Sequence, residues 1–222
     1  MKTLLIKDFM LIKSQKRSIG IMALLVIIFA VFNMNPSFAI SYGTVVFLII
    51  AINTIAYDEY EKSNLYLFSL PIDRTTYATE KYLFSGMLLV GSTAIISIVT
   101  VASEFIKNQA LDHQFLFEWR TGILAGVLIG VLMLAFTVPT QLKYGPEKGR
   151  LMLFGITIVV VVGTYLLDKI SLQNGISVMD GLDKWMTGKL TIIQCGLGII
   201  VCIIILEISM AISRRIMANK EY

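Results

Sequence analysis

The chain has 222 residues, of which 56% are hydrophobic and only 15% charged, against roughly 45–50% apolar and about 25% charged in an ordinary soluble domain. That balance excludes a typical soluble domain and points to a membrane protein. The net charge of +4 is modest, so where the charges lie matters more than their sum.

The chain opens with MKTLLIKDFMLI. Leu4, Leu5, Leu11 and Ile12 recur at helical spacing, with Lys2, Lys7, Lys13 and Lys16 available to water or lipid headgroups. This reads as a helix lying in the membrane interface, or equally as an anchor for the span that follows. Lys2, Lys7 and Asp8 interrupt the apolar run and no small-residue cleavage site follows, so no cleavable signal peptide is expected.

A hydrocarbon core about 30 Å thick needs roughly 20 mainly apolar residues per spanning helix. Six runs reach that scale: 18–34, 38–56, 82–102, 121–140, 151–167 and 190–212. The sequence IVVVV at 158–162 would argue for a strand in water. Lipid cannot satisfy free backbone groups, so each run must be a helix, and the expected fold is all-α. Between the runs lie a tight turn, NMNPS at 33–37, and a charged, aromatic segment at 57–81. Further on come SEFIKNQALDHQFLFEWR at 103–120, the short KYGPEKGR at 143–150 and a Gly- and Asp-rich stretch at 168–189.

Lys and Arg favour the cytoplasmic side of a membrane. The N-terminal segment, 57–81, 141–150 and the C-terminus together carry 14 of them, and the other side carries five (Lys107, Arg120, Lys169, Lys184, Lys189). Both termini are therefore expected in the cytoplasm.

Polar residues within the runs are few. Asn53, beside Thr54, suits a helix–helix hydrogen bond or the lining of a path. Gly122, Gly126 and Gly130 recur at intervals of four and leave one helix face as bare backbone for close packing; the partner helix could belong to this chain or to another. Glu207 is the one ionisable residue inside a predicted run. It reads either as a headgroup-level charge paired with Arg214 or Arg215, or as a cavity-facing or proton-carrying group. Cys195 and Cys202 would stand about 10 Å apart along a helix axis, beyond the roughly 7 Å limit for a disulfide.

Several chemistries are missing from the sequence. There is no GxxxxGK[ST] phosphate loop. The single histidine, His113, falls in a loop segment and reads as a surface residue, which excludes a Ser–His protease at depth and an HExxH metalloprotease. No Cys/His cluster suggests zinc. The chain is expected to be no enzyme, to hold no metal or cofactor and to bind no nucleic acid.

Residues 57–83, YDEYEKSNLYLFSLPIDRTTYATEKYL, stand apart. Asp58, Glu59 and Glu61 come first, as a helix N-terminus favours. Tyr57, Tyr60, Leu67 and Phe68 form one ragged apolar face. Pro71 pushes Leu70 out of helical geometry, and Asp73 is placed to cap a new helix from Arg74 that runs through Tyr77 and Lys81 into the third run. A merely solvated loop does not need four tyrosines, a phenylalanine and three leucines between 57 and 81. The expectation is a short transverse helix, a proline break and a helix rigidly joined to a span.

The stretch EYEKSNLYLFSLPIDRTTYATEKYL resembles the first cytoplasmic loop of ABC-2 type permeases, and the six-run layout, inner termini and N-terminal interfacial helix match that family over the whole chain, 1–222, as a single transmembrane domain. Among its members the chain most resembles the membrane subunits of phenol-soluble modulin exporters. The resemblance implies a permease subunit in a bacterial cytoplasmic membrane, paired with a copy or a sister subunit. Each permease docks a separate ATPase, which holds the ATP and Mg. It also implies that Asp58, Glu59, Tyr60, Glu61, Lys62, Asn64, Leu65, Leu67 and Phe68 form the coupling helix that meets the ATPase, with Ser69, Leu70, Pro71 and Arg74 as the turn behind it. Amphipathic peptides, such as cytolytic or antimicrobial ones, are the implied cargo. The chain departs from larger members in lacking an extended outer domain, and 168–189 does not match their paired re-entrant helices. A membrane scaffold or sensor that transports nothing, and an ion-coupled carrier built on Glu207, are the alternative functions.

Overall fold

A computed structural model describes residues 2–31, 35–60, 73–108, 112–173 and 192–219. All regular structure among them is helical, in six helices: α1 (Lys2–Ser14), α2 (Lys16–Val31), α3 (Pro36–Tyr60), α4 (Arg74–Asn108), α5 (His113–Gln173) and α6 (Ile192–Ala218). The β-branched run at 158–162 is helical, as lipid solvation demands.

Among the described residues, three stretches are long and apolar enough to cross a membrane: Pro36–Asp58, Arg74–Lys107 and His113–Gly149. The runs at 18–34, 151–167 and 190–212 fall in α2, the far arm of α5 and α6, apart from residues 32–34 and 190–191, which lie outside the described residues.

The helices outrun the apolar segments that define them. Sequence alone makes 103–120 a connection, yet α4 continues to Asn108 and α5 begins at His113. Asn35, Asp73 and Asp112 mark helix starts, as residues of their type do. The Asn35 carbonyl accepts from Phe38 N at 2.9 Å, the Asp73 carbonyl from Tyr77 N at 3.1 Å and the Asp112 carbonyl from Leu116 N at 3.0 Å. Pro36 occupies the first turn of α3, where no N–H is needed.

KYGPEKGR is a kink rather than a loop. Only Gly145 leaves helical geometry, at φ 83° and ψ 169°, a backbone region open essentially to glycine. Pro146 follows it as the start of the second arm of α5.

α3 packs against α1, α2, α4 and α5. Its buried Leu48, Ile52 and Ile55 join Tyr77, Tyr82 and Leu89 of α4, Leu134 and Val138 of α5 and Met217 of α6 in one core. A smaller cluster of Val26, Ile40 and Ile96, backed by Trp119, ties α2 and α3 to α4. Hydroxyls bridge the helices: Tyr82 Oη lies 2.6 Å from Ser209 Oγ and 2.9 Å from Ser213 Oγ, and Ser209 donates to the Ala135 carbonyl at 2.7 Å. Such bonds hold helices together where lipid removes the hydrophobic drive. The outward faces stay apolar, with Val90 and Ile98 on α4, Phe136 on α5 and Ile203 and Ile208 on α6 all exposed.

Candidate functional site

The last turn of α3, the first turns of α4 and the middle of α1 meet at one end of the bundle, and there the chain buries charge. Lys7 Nζ donates to Asp58 Oδ1 at 2.6 Å. Lys81 Nζ donates to Asp8 Oδ2 at 2.5 Å and lies 2.9 Å from Asp58 Oδ2. Lys7 Nζ is 3.5 Å from Asp8 Oδ1. The Tyr77 hydroxyl donates to Asp58 Oδ2 at 3.0 Å, and its ring centre lies 5.2 Å from Lys81 Nζ. Thr54 Oγ1 accepts from Lys81 Nζ at 3.4 Å and sits 3.3 Å from Asp8 Oδ2.

Asp8, Asp58, Tyr77 and Lys81 are each at most 2% exposed, and only Lys7 reaches the surface, its side chain 28% exposed. Glu80 is also buried, 4.0 Å from Lys81 Nζ, with neither carboxylate oxygen in a hydrogen bond. Desolvating so many charges costs several kcal/mol per ion, offset only by close opposite charges and hydrogen bonds. Asp8, Asp58 and Lys81 meet that condition.

The local sequence explains the geometry. Leu4 and Asp8 are one helical turn apart, so burying Leu4 carries Asp8 into the bundle. Tyr77 and Lys81 share the same spacing on α4 and converge on Asp58. Asp58 lies near the C-terminus of α3, where the helix dipole disfavours a carboxylate; Lys7 and Lys81 supply the compensating charge.

Several residues expected at a docking surface are placed differently. Asp58, Glu59 and Tyr60 continue α3 instead of opening a separate transverse helix, because nothing breaks the span before Tyr60. The Asp58 carboxylate is turned inward. Arg74 is the first residue of α4, as its position after Asp73 predicts. Glu61, Lys62, Asn64, Leu65, Leu67, Phe68, Ser69, Leu70 and Pro71 lie outside the described residues. Lys7, expected to face water or headgroups, is paired.

In the membrane runs, Asn53 is half-buried, and it is its neighbour Thr54 that joins the ionic cluster. The bare face of Gly122, Gly126 and Gly130 meets this chain's own helices: a Cβ on Gly122 would stand 2.6 Å from Ser37 Cα, one on Gly126 3.3 Å from Thr44 Oγ1, and one on Gly130 would run into Leu89. Glu207 is exposed. Arg214 reaches Thr79 Oγ1 at 3.0 Å and Met210 Sδ at 3.5 Å, and no ion pair joins it to Glu207 among the described residues. Glu207 is thus not alone as a charge within the long helices, since Glu80 and Lys81 lie inside an apolar stretch that begins at Arg74.

The opposite end of the bundle holds a polar cleft of about 280 Å³ lined by Asn35, Thr100, Ser103, Glu104, Asp112 and Glu118 among others. No group of three or more His, Cys, Asp or Glu side chains could hold a metal among the described residues.

Long apolar helices knit by hydroxyls and closed at one end by buried ion pairs are the build of a membrane protein. The chain belongs to the ABC-2 transporter family: a family model described as ABC-2 family transporter protein matches residues 3–218. It is therefore an ABC-2 type permease, a membrane transport component of a family that works with an ABC ATPase. No curated protein and no solved structure gives a significant match to the chain.

Proposed function

We propose that the chain is the membrane subunit of an ATP-driven exporter, with six spans and both termini in the cytoplasm of a bacterial cell. It pairs with a second permease, a copy or a sister. Within the coupling segment 57–81, residues 59–68 dock a separate ATPase, which binds ATP and Mg, while Asp58 and Lys81 anchor the segment to the bundle. Closure of the ATPases on ATP displaces the docking segments, and the spans rock as rigid bodies to open a path outward. The cargo is amphipathic or hydrophobic, with cytolytic or antimicrobial peptides as the preferred class. The family match over residues 3–218 carries this reading. The 14-to-five distribution of basic residues supports the orientation. The rigid joining of α3 and α4 through Asp58 and Lys81 supports a lever at the docking end.

The test is affinity purification of the tagged chain from native membranes in mild detergent, with mass spectrometry of what accompanies it. An ATP-binding subunit at near-equal abundance is expected. Replacing Tyr60, Leu67 and Phe68 together by Ala should release that subunit while the chain stays inserted. Unchanged co-purification of the ATPase would sink the docking assignment.

A further inference from the structure

α1 has only 13 residues, too short to be stable in isolation. Leu4 is buried in the core, and Phe9 meets Phe84 of α4 edge-on at 5.2 Å. Gln15 joins α1 to α2, its N–H donating to the Ile12 carbonyl at 3.0 Å and its carbonyl accepting from Ile19 N at 3.1 Å. The attachment of α1 to α3 and α4 is in large part ionic and has a particular form: Lys7 and Asp8 are sequence neighbours, and their charged partners stand on different helices, although Asp8 also accepts from Thr54 of α3 at 3.3 Å. Lys7 holds Asp58 of α3 at 2.6 Å, and Asp8 holds Lys81 of α4 at 2.5 Å. Asp58 and Lys81 are joined to each other at 2.9 Å, and Lys7 lies 3.5 Å from Asp8. These four charges form a closed ring of alternating sign, in which each has an opposite charge on both sides, and the buried Glu80 lies outside the ring, 4.0 Å from Lys81 Nζ.

Apolar contact alone could fasten α1, and a buried ion pair is seldom more stabilising than apolar groups of the same volume. The ring adds direction. Hydrophobic contact is non-directional, so an apolar α1 could slide along its neighbours. Displacing α1 against α3 or α4 would instead separate opposite charges in a medium of low dielectric. Asp58 is close to the end of α3, and Lys81 lies two turns into α4, so the ring spans the two helix ends between which residues 61–72 run.

We infer that this ring is a mechanical joint that makes α1 a third arm of the lever, so that a displacement delivered to the ends of α3 and α4 carries α1 with it. The inference rests on the permease reading. Lys7 and Asp8 are positioning residues: they transmit the motion without touching cargo or nucleotide.

The double change Lys7→Met/Asp8→Asn tests it. It removes one charge of each sign and leaves Asp58 and Lys81 matched, so α3 and α4 stay joined while α1 loses its ionic hold and keeps only Leu4, Phe9 and its junction with α2. The complex with its ATPase is examined in nanodiscs, with Cys195 and Cys202 replaced by Ala and nitroxide pairs at two sets of introduced cysteines. Ser14→Cys with Asn219→Cys reports α1 against α6, and Thr75→Cys with Asn219→Cys reports α4 against α6. On adding ATP and vanadate to the unaltered ring, both distances shift. In the double variant the Thr75 shift persists, which shows an intact complex, and most of the Ser14 shift is lost. Lys7→Arg keeps both. The inference is overturned if the Ser14 shift survives the double change, or if Ser14 stays still while Thr75 moves with the ring intact. If neither distance moves while the ATPase turns over, the permease reading fails, and the joint with it.

Discussion

Lys81 is 1% exposed and lies between the Asp8 and Asp58 carboxylates. Its removal leaves three buried acids, Asp8, Asp58 and Glu80, with Lys7 paired to the first two. Lys81→Met should therefore destabilise the chain by about 3–5 kcal/mol, the usual cost of breaking a buried pair from one side. Adding Asp8→Asn should restore part of the loss, because one stranded charge goes with it. Thermal unfolding of the purified chain in detergent measures both, and additive losses would show that the two residues do not interact. The cluster was partly legible in the sequence. Asp8 falls one turn after Leu4 on the apolar stripe of an otherwise lysine-rich helix, which is where a carboxylate needs a buried partner. That the partner would be Lys81, 73 positions away, depends on how α1 lies across α3 and α4, and no local pattern encodes it.

For the elements, backbone proximity decides which glycines can change. At Gly122 an added Cβ would meet Ser37 backbone at 2.6 Å, whereas at Gly91 it would meet nothing within 4 Å. Gly122→Ala should cost about 1–3 kcal/mol as an overpacked contact, and Gly91→Ala should be neutral or slightly stabilising, since Ala favours helix. A thermal shift assay on the two variants checks the contrast, and equal losses would mean that α3 and α5 do not approach so closely. Gly145→Ala should cost of order 1–3 kcal/mol for a different reason, its φ of 83° in a region closed to side chains, read in the same assay. Helix existence was readable throughout from apolar runs, and the GxxxGxxxG face lies against Ser37, Thr44 and Leu89. The start of α4 at Arg74 was expected from Asp73, but the reach of α4 to Asn108 and the start of α5 at His113 were not, because they lie past the apolar residues that reveal the helices. Of the transverse helix expected from Asp58, residues 58–60 continue α3, with Asp58 buried against Lys7 and Lys81, and residues 61–72 lie outside the described residues.

In the whole molecule, the question is where the energy for transport enters. An ion-coupled carrier needs an ionisable group that faces a path. Glu207 lies on the outward face of α6, flanked by the exposed Ile203, Ile204 and Ile208. A carboxylate facing lipid costs about 2.5–3.5 kcal/mol at mid-membrane and less toward the headgroups, and among the described residues no ion pair joins it to the buried cluster. The charges that the fold buries at one end are Asp8, Asp58 and Lys81, which pair with one another and with Lys7, and Glu80, 4.0 Å from Lys81 Nζ; they hold helices together and, among the described residues, line no path to Glu207. Glu207→Gln should therefore leave ATP-driven transport by the reconstituted complex unchanged within error, and the chain alone should show no flux driven by a proton gradient. Fluorescence assays of proteoliposomes, with and without the ATPase, decide this. A proton-driven flux in the absence of the ATPase, abolished by Glu207→Gln, would move the energy source from the partner into this chain and reduce the ionic ring to a structural fastening.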